Sequence, residues 1–118
     1  MRLTARLIAR RTAAAILFWF SLTSSALASS RAQRAQGAAD FASAGCDHCH
    51  TIRRNGGHRG PDLSGVGRRK SKTAIRNQIL YGSKVMPAFG DALSPDQVND
   101  LVAYLRSCKD RTANSATR

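Results

Sequence analysis

Cys46-Asp47-His48-Cys49-His50 constrains this chain more than any other stretch of it. Two thiols, two intervening residues and an immediate histidine form the attachment signature of a c-type haem. Within one turn of backbone the two cysteines reach two vinyl groups, and the histidine comes beneath the iron as an axial ligand. Two rival readings make demands that the sequence does not meet. A structural zinc site takes four ligands, usually as two spaced pairs, and the remaining candidates are His48, His58 and the distant Cys108. A thioredoxin-like dithiol sits in a βαβ setting rich in Val and Ile, whereas Gly, Ala, Asn and Arg surround Cys46 and Cys49.

The N-terminus says where such a group would be attached. Arg2, Arg6, Arg10 and Arg11 precede an apolar run from Ala13 to Phe20, and small residues ending Ala26-Leu27-Ala28 follow. This order is that of a secretory signal peptide, with cleavage expected after Ala28. An uncleaved anchor would need about 20 apolar residues, and Ser21, Thr23, Ser24 and Ser25 cut this run short. Arg10-Arg11 lacks the fuller surroundings of a twin-arginine signal, so the general secretory route and a periplasmic location are expected. Cysteines in an oxidising compartment usually pair, and here the count is three. Haem accounts for two of them. Cys108 is left over, open to an intermolecular disulfide but read as a thiol at a fraying helix end.

The 118 residues carry 19 Lys and Arg against seven acids, every one of them Asp, for a net charge of +12. Four of those positive charges belong to the leader. Between His50 and Met86 stand Arg53, Arg54, Arg59, Arg68, Arg69, Lys70, Lys72, Arg76 and Lys84 against Asp62 alone. Such a field favours acidic redox-partner proteins and speeds encounter in a salt-dependent way. A nucleic-acid partner is not expected, because an exported domain with few aromatics has little with which to stack bases. Solvated surface charge without a partner is the plainer alternative. Once the leader is removed, no stable membrane insertion is expected, and the protein is read as a monomer.

Four segments are expected: a signal peptide over 1–28, a lead-in over 29–36, one domain over 37–107 and a polar tail over 108–118. A domain of that size builds only a marginal core from its own side chains. The fold class is all-α, with three to four helices. Ser94-Pro95-Asp96-Gln97 combines an N-cap, proline in the first turn and a capping-box glutamine. Val98, Leu101, Val102 and Leu105 then recur at helical spacing through about Ser107. Ser71 caps a second helix carrying Ala74, Ile75, Ile79 and Leu80, which Gly82 stops. A third, Ala-rich helix is expected from about Arg31 to Ala44, with Gly45 as its stop. From His50 to Lys70 the glycine-rich sequence reads as loop around Pro61, and nothing there alternates like a strand.

With these elements in place the residues resemble the class I cytochrome c family in its small bacterial form, over nearly all of the chain beyond the leader. Cys46, Cys49 and His50 are similar to that family's thioether pair and proximal ligand. Gly60-Pro61-Asp62-Leu63 resembles its proximal loop, which implies a hydrogen bond from the His50 imidazole to the Pro61 carbonyl and packing of Leu63 on the haem. In isolation Gly-Pro marks no more than a turn. Lys84-Val85-Met86-Pro87-Ala88-Phe89 is similar to the distal segment, implying Met86 as the sixth iron ligand. Apart from Met1 it is the only methionine, and its place in a loop before proline gives the packing reading of a lone Met little periodicity to stand on. Gly37 and Phe41 with Leu101 and Tyr104 match the family's crossing of terminal helices. Trp19 lies in the leader, so the family's frequent indole near a propionate is absent, and Arg68, Arg69 and Tyr81 are unranked candidates for that role. His48 and His58 are read as solvent-facing.

The resemblance implies a small cytochrome c fold around one covalent haem c, and a carrier of single electrons rather than an enzyme. With His50 and Met86 on opposite faces, the iron keeps no open position for a substrate. Thioether ligation and haem burial both favour the ferrous state and so raise the reduction potential. A haem subunit of a periplasmic dehydrogenase or membrane complex would carry the same motifs, and a small peroxidase or gas sensor would need an open iron.

Overall fold

In a computed structural model the described residues are 27–110. The expected signal peptide falls outside them except for Leu27 and Ala28. The chain divides into two compact units, Met1–Ala32 and Gln33–Arg118. Residues 27–32, the described part of the first, are helical. The second unit carries the attachment motif.

Its first helix, α1, covers residues 33–43, so the Ala-rich stretch ends one residue earlier than the sequence suggested. Gly45, at φ 73°, turns the chain into a 3-10 turn over Cys46–His48. Two short strands follow, β1 (Thr51–Ile52) and β2 (Asn55–Gly56), paired antiparallel with Thr51 opposite Gly56. Then come α2 (Val66–Arg69), α3 (Lys72–Tyr81) and α4 (Pro95–Ser107). The caps are those the sequence specifies. Ser71 Oγ accepts from the Ala74 amide at 3.1 Å, while Ser94 and Gln97 form both halves of a capping box.

Among the described residues ten apolar ones form the core, including Phe41, Ile52, Ile75, Ile79 and the α4 face Val98, Leu101, Val102 and Leu105. Leu101 is 1 % exposed and marks its centre. α4 carries most of the packing, against α3 on one side and α2 on another. Arg76 of α3 bonds Asn99 of α4, and Arg106 Nη1 donates to the Gly67 and Lys70 carbonyls at 2.5 and 2.7 Å, closing the C-terminal end of α2. At the crossing of α1 with α4, a Cβ on Gly37 would lie 2.0 Å from the Asp100 carbonyl oxygen. Only glycine allows that approach. Phe41 and Tyr104 close it with an edge-to-face contact, centroids 5.8 Å apart.

The fold is all-α, as expected, but the stretch from His50 to Lys70 is more ordered than a loop. The β1–β2 hairpin turns on Arg53 and Arg54, both with positive φ (50° and 69°), the geometry of a two-residue turn that normally selects Asn or Gly. Tertiary bonds hold it there. The Arg53 amide donates to Ser64 Oγ at 2.8 Å and its Nε to Asp110 Oδ2 at 2.6 Å. α2 falls in the same stretch, and none of its four residues carries a side-chain cap that would have signalled it.

Cys108 corrects the sequence reading more sharply. It does not lie on a fraying end but is 4 % exposed in the core. Its amide bonds the Leu105 carbonyl at 3.1 Å, its own carbonyl accepts from Gly67 at 2.8 Å, and burial pushes the thiol up from its ordinary range. The chain stays fastened beyond it, because the Asp110 amide donates to the Ser64 carbonyl at 3.0 Å.

Candidate functional site

The 3-10 turn gathers the pentapeptide into one presenting unit. Cys49 and His50 donate their amides to the Cys46 carbonyl at 3.3 and 2.9 Å, which places both cysteines on one turn with the histidine next to the second. Neither thiol is in a disulfide, and both are half-buried. Burial pushes the Cys46 thiol up from its ordinary value. His48 projects outward, its side chain 83 % exposed, and His58 is also exposed. Both match the sequence reading.

His50 is 9 % exposed, and its Nδ1 lies 2.9 Å from the Pro61 carbonyl oxygen. A carbonyl only accepts, so Nδ1 carries the proton and Nε2 keeps its lone pair for a metal. The loop reaches the ring because of a glycine. A Cβ on Gly60 would lie 2.6 and 2.7 Å from Cε1 and Nδ1 of His50. The Gly60 amide donates to the Cys49 carbonyl at 2.8 Å and the Leu63 amide to the Thr51 carbonyl at 2.9 Å, so the loop runs along the attachment turn. Leu63 lies half-buried against the core, as do Cys46, Leu80 and Phe89.

Met86 is placed by the turn after α3. Gly82, at φ 63°, is packed so closely that a Cβ would lie 2.3 Å from the Met86 carbonyl oxygen. Ser83 donates its amide to that oxygen at 2.8 Å, and Ser83 Oγ accepts from the Met86 amide at 3.3 Å. The half-buried thioether meets Gln78 Nε2 at 3.5 Å. The structure thus brings Cys46, Cys49, His50, Pro61 and Leu63 into one hydrogen-bonded neighbourhood, whereas the bonds of Met86 run to α3 and its own turn. Among the described residues no group of three or more His, Cys, Asp or Glu side chains converges to hold a metal ion, which leaves a zinc site without its ligand set.

The donors fit a covalent haem: an imidazole with its proton fixed away from the metal-binding nitrogen, two adjacent free thiols on one turn, and a loop with no side chain at Gly60 to press on the ring. The family model described as cytochrome C oxidase, cbb3-type, subunit III matches residues 32–105. Cytochrome c6 of Gloeothece citriformis is 34 % identical over 104 residues, covering 85 % of this chain and 91 % of that protein. The chain belongs to the cytochrome c family. Cytochrome c6 of a Nostoc species is 37 % identical over 93 residues, covering 75 % of this chain and 80 % of that one. No solved structure matches the chain significantly. As a small class I cytochrome c the protein carries one haem c and transfers electrons.

Two residues have no place in the sequence reading, Ser64 beside Pro61 and Gln78 beside Met86. Ser64 is 5 % exposed and bonds Asp62 Oδ1 through both its amide (2.8 Å) and its hydroxyl (2.5 Å). Those two bonds hold the Asp62 carboxyl below its usual range. The Asp-Leu-Ser spacing is an Asx-turn signal that would have found it. Gly60 was legible as part of the Gly60-Pro61-Asp62-Leu63 motif but not for its close approach to the His50 ring, and Gln78 had no local signal at all.

Proposed function

We propose that this cytochrome c is a periplasmic one-electron carrier whose iron is held between His50 and Met86. Cys46 and Cys49 hold the haem through thioether bonds, Pro61 orients the proximal imidazole, and Leu63 packs on the ring. The observation that carries this reading is the 2.9 Å bond from His50 Nδ1 to the Pro61 carbonyl, which frees Nε2 for a metal and raises its basicity. The haem, when bound, takes up and releases the electron. The chain's work is to fix both axial donors, keep water from the iron and offer a surface to partners.

Eight of the nine basic residues between His50 and Met86 are exposed, and so are Val85, next to Lys84 in sequence, at 91 % and Tyr81 at 75 %. Exposed cations together with exposed apolar side chains suit brief docking of an acidic redox partner. Export by a signal peptide over residues 1–28, a domain over 37–107 and a monomeric state belong to the same reading. No helix among the described residues is long and apolar enough to cross a membrane.

The test is the optical spectrum of oxidised holoprotein. Iron bound to methionine sulfur gives a weak ferric charge-transfer band; its loss in Met86→Ala, together with ready carbon monoxide binding by the ferrous variant, is the expected result. A second reading, a haem subunit of a membrane electron-transfer complex, is favoured by the description of the matching family model. Purification from the native host separates the two, since a free carrier elutes alone and a subunit brings its complex.

A further inference from the structure

We propose that Ser64 is a positioning residue for the iron's proximal ligand: its buried hydroxyl fixes the Pro61–Asp62 segment and thereby sets the strength of the His50–Pro61 hydrogen bond and the reduction potential. This rests on the reading of His50 as an iron ligand. Pro61 has no amide hydrogen to donate, so its own position depends on the bonds of its neighbours, the Gly60 and Leu63 amides among them. The next residue supplies the anchor. Asp62 Oδ1 accepts from the Ser64 amide at 2.8 Å and from Ser64 Oγ at 2.5 Å, closing a tight turn immediately after the Pro61 carbonyl.

Ser64 is in turn held from two distant parts of the chain. Its Oγ accepts from the Arg53 amide at 2.8 Å, and its carbonyl accepts from the Asp110 amide at 3.0 Å. Arg53 Nε and Asp110 Oδ2, 57 residues apart in sequence, complete the ring at 2.6 Å. Within this ring Ser64 Oγ both donates and accepts, so one buried hydroxyl couples the hairpin to the turn behind the proximal ligand. Among the described residues no other side chain is hydrogen-bonded to both. Arg69 adds a bond from Nη2 to the Asp62 carbonyl at 2.9 Å, on the far side of the same turn.

The direction of the effect follows from the bond it controls. A short Nδ1–H···O=C bond makes the imidazole a stronger donor, and a stronger donor favours ferric iron. Loosening Pro61 weakens that donor and raises the potential. Ser64→Ala removes the hydroxyl without changing any charge, so a shift in potential cannot come from a deleted ion.

The experiment compares wild-type and Ser64→Ala holoprotein by two measurements: redox titration, and exchange of the His50 Nδ1 proton with water in the diamagnetic ferrous state. The expected result is an upward shift of about threefold in the ferrous-to-ferric ratio at fixed applied potential, ~30 mV at 59 mV per tenfold for one electron. Proton exchange should be about fivefold faster, the ratio that corresponds to one neutral hydrogen bond. If the variant is merely less stable, with potential and exchange unchanged, Ser64 is structural and the proposal is wrong. Where Ser64→Ala yields no holoprotein, Asp62→Ala, which deletes the acceptor of both Ser64 bonds, takes its place with exchange as the readout, because loss of its charge moves the potential by itself. Unchanged exchange in Asp62→Ala likewise overturns the proposal. A wild-type ferrous protein in which His50 carries no iron-ligand signature would remove the underlying reading and the proposal together, and that outcome is distinct from a normal wild type with an indifferent Ser64.

Discussion

Asp62 and Gly60 show how much of the proximal side depends on single residues of one loop. Asp62 is an acid whose pKa is lowered in the folded chain, chiefly by the Ser64 hydroxyl and then by its amide. A carboxylate of lowered folded pKa contributes stability that is fully present above its unfolded value of about 3.9 and lost as pH falls through the folded one. The wild type should therefore lose stability on acidification below about pH 4, and Asp62→Asn should lose less over that interval. Urea midpoints measured from pH 6 to pH 2.5 check this; parallel curves for the two proteins would contradict it. Gly60→Ala acts differently, since its Cβ would sit 2.6 Å from His50 Cε1. The imidazole or the loop must move, so the variant is expected to accumulate little holoprotein and, where it does, to show a raised potential.

At the scale of elements, the contact of α1 with α4 is the most demanding piece of packing. A methyl on Gly37 would overlap the Asp100 carbonyl and lie 2.7 Å from Tyr104 Cβ, so Gly37→Ala should cost at least about 1–3 kcal/mol as overpacking. In a domain of this size each kcal/mol lowers Tm by about 4–8 °C, which a thermal melt of the holoprotein reads directly. This crossing was expected only because Gly37, Phe41, Leu101 and Tyr104 match the cytochrome c family's crossing of terminal helices; spacing within each segment does not show which helices meet. The caps of α3 and α4 were legible from the residues themselves, since Ser71 and Ser94 act on amides three residues away. The β1–β2 hairpin was not. Its turn uses two arginines in the left-handed region, and what holds them, Ser64 and Asp110, is remote in sequence. Cys108 was misread for a related reason: its burial depends on Gly67 letting α2 approach the end of α4, a contact with no local signature.

At the scale of the whole molecule, the attachment motif could be read from residue order and the proposed roles of the Pro61 loop and of Met86 from the family resemblance, but their mutual arrangement could not. Hydrogen bonds join Cys46, His50 and Pro61; Met86 is held separately by Gly82, Ser83 and Gln78. A small domain with half-buried Leu63, Leu80, Phe89 and Leu93 around its core has too little apolar area of its own to be stable with ease, and the haem supplies the remainder. Haem-free protein should accordingly be poorly folded. Far-UV circular dichroism of the apoprotein is expected to show a large loss of helix signal, and a native-like spectrum would contradict this. An iron closed on both faces by His50 and Met86 is tested by the ferric optical spectrum of the wild-type holoprotein. The expected result is the weak charge-transfer band of iron bound to methionine sulfur; a ferric spectrum without that band would rule out the Met86 ligand and leave Met86 as a packing residue.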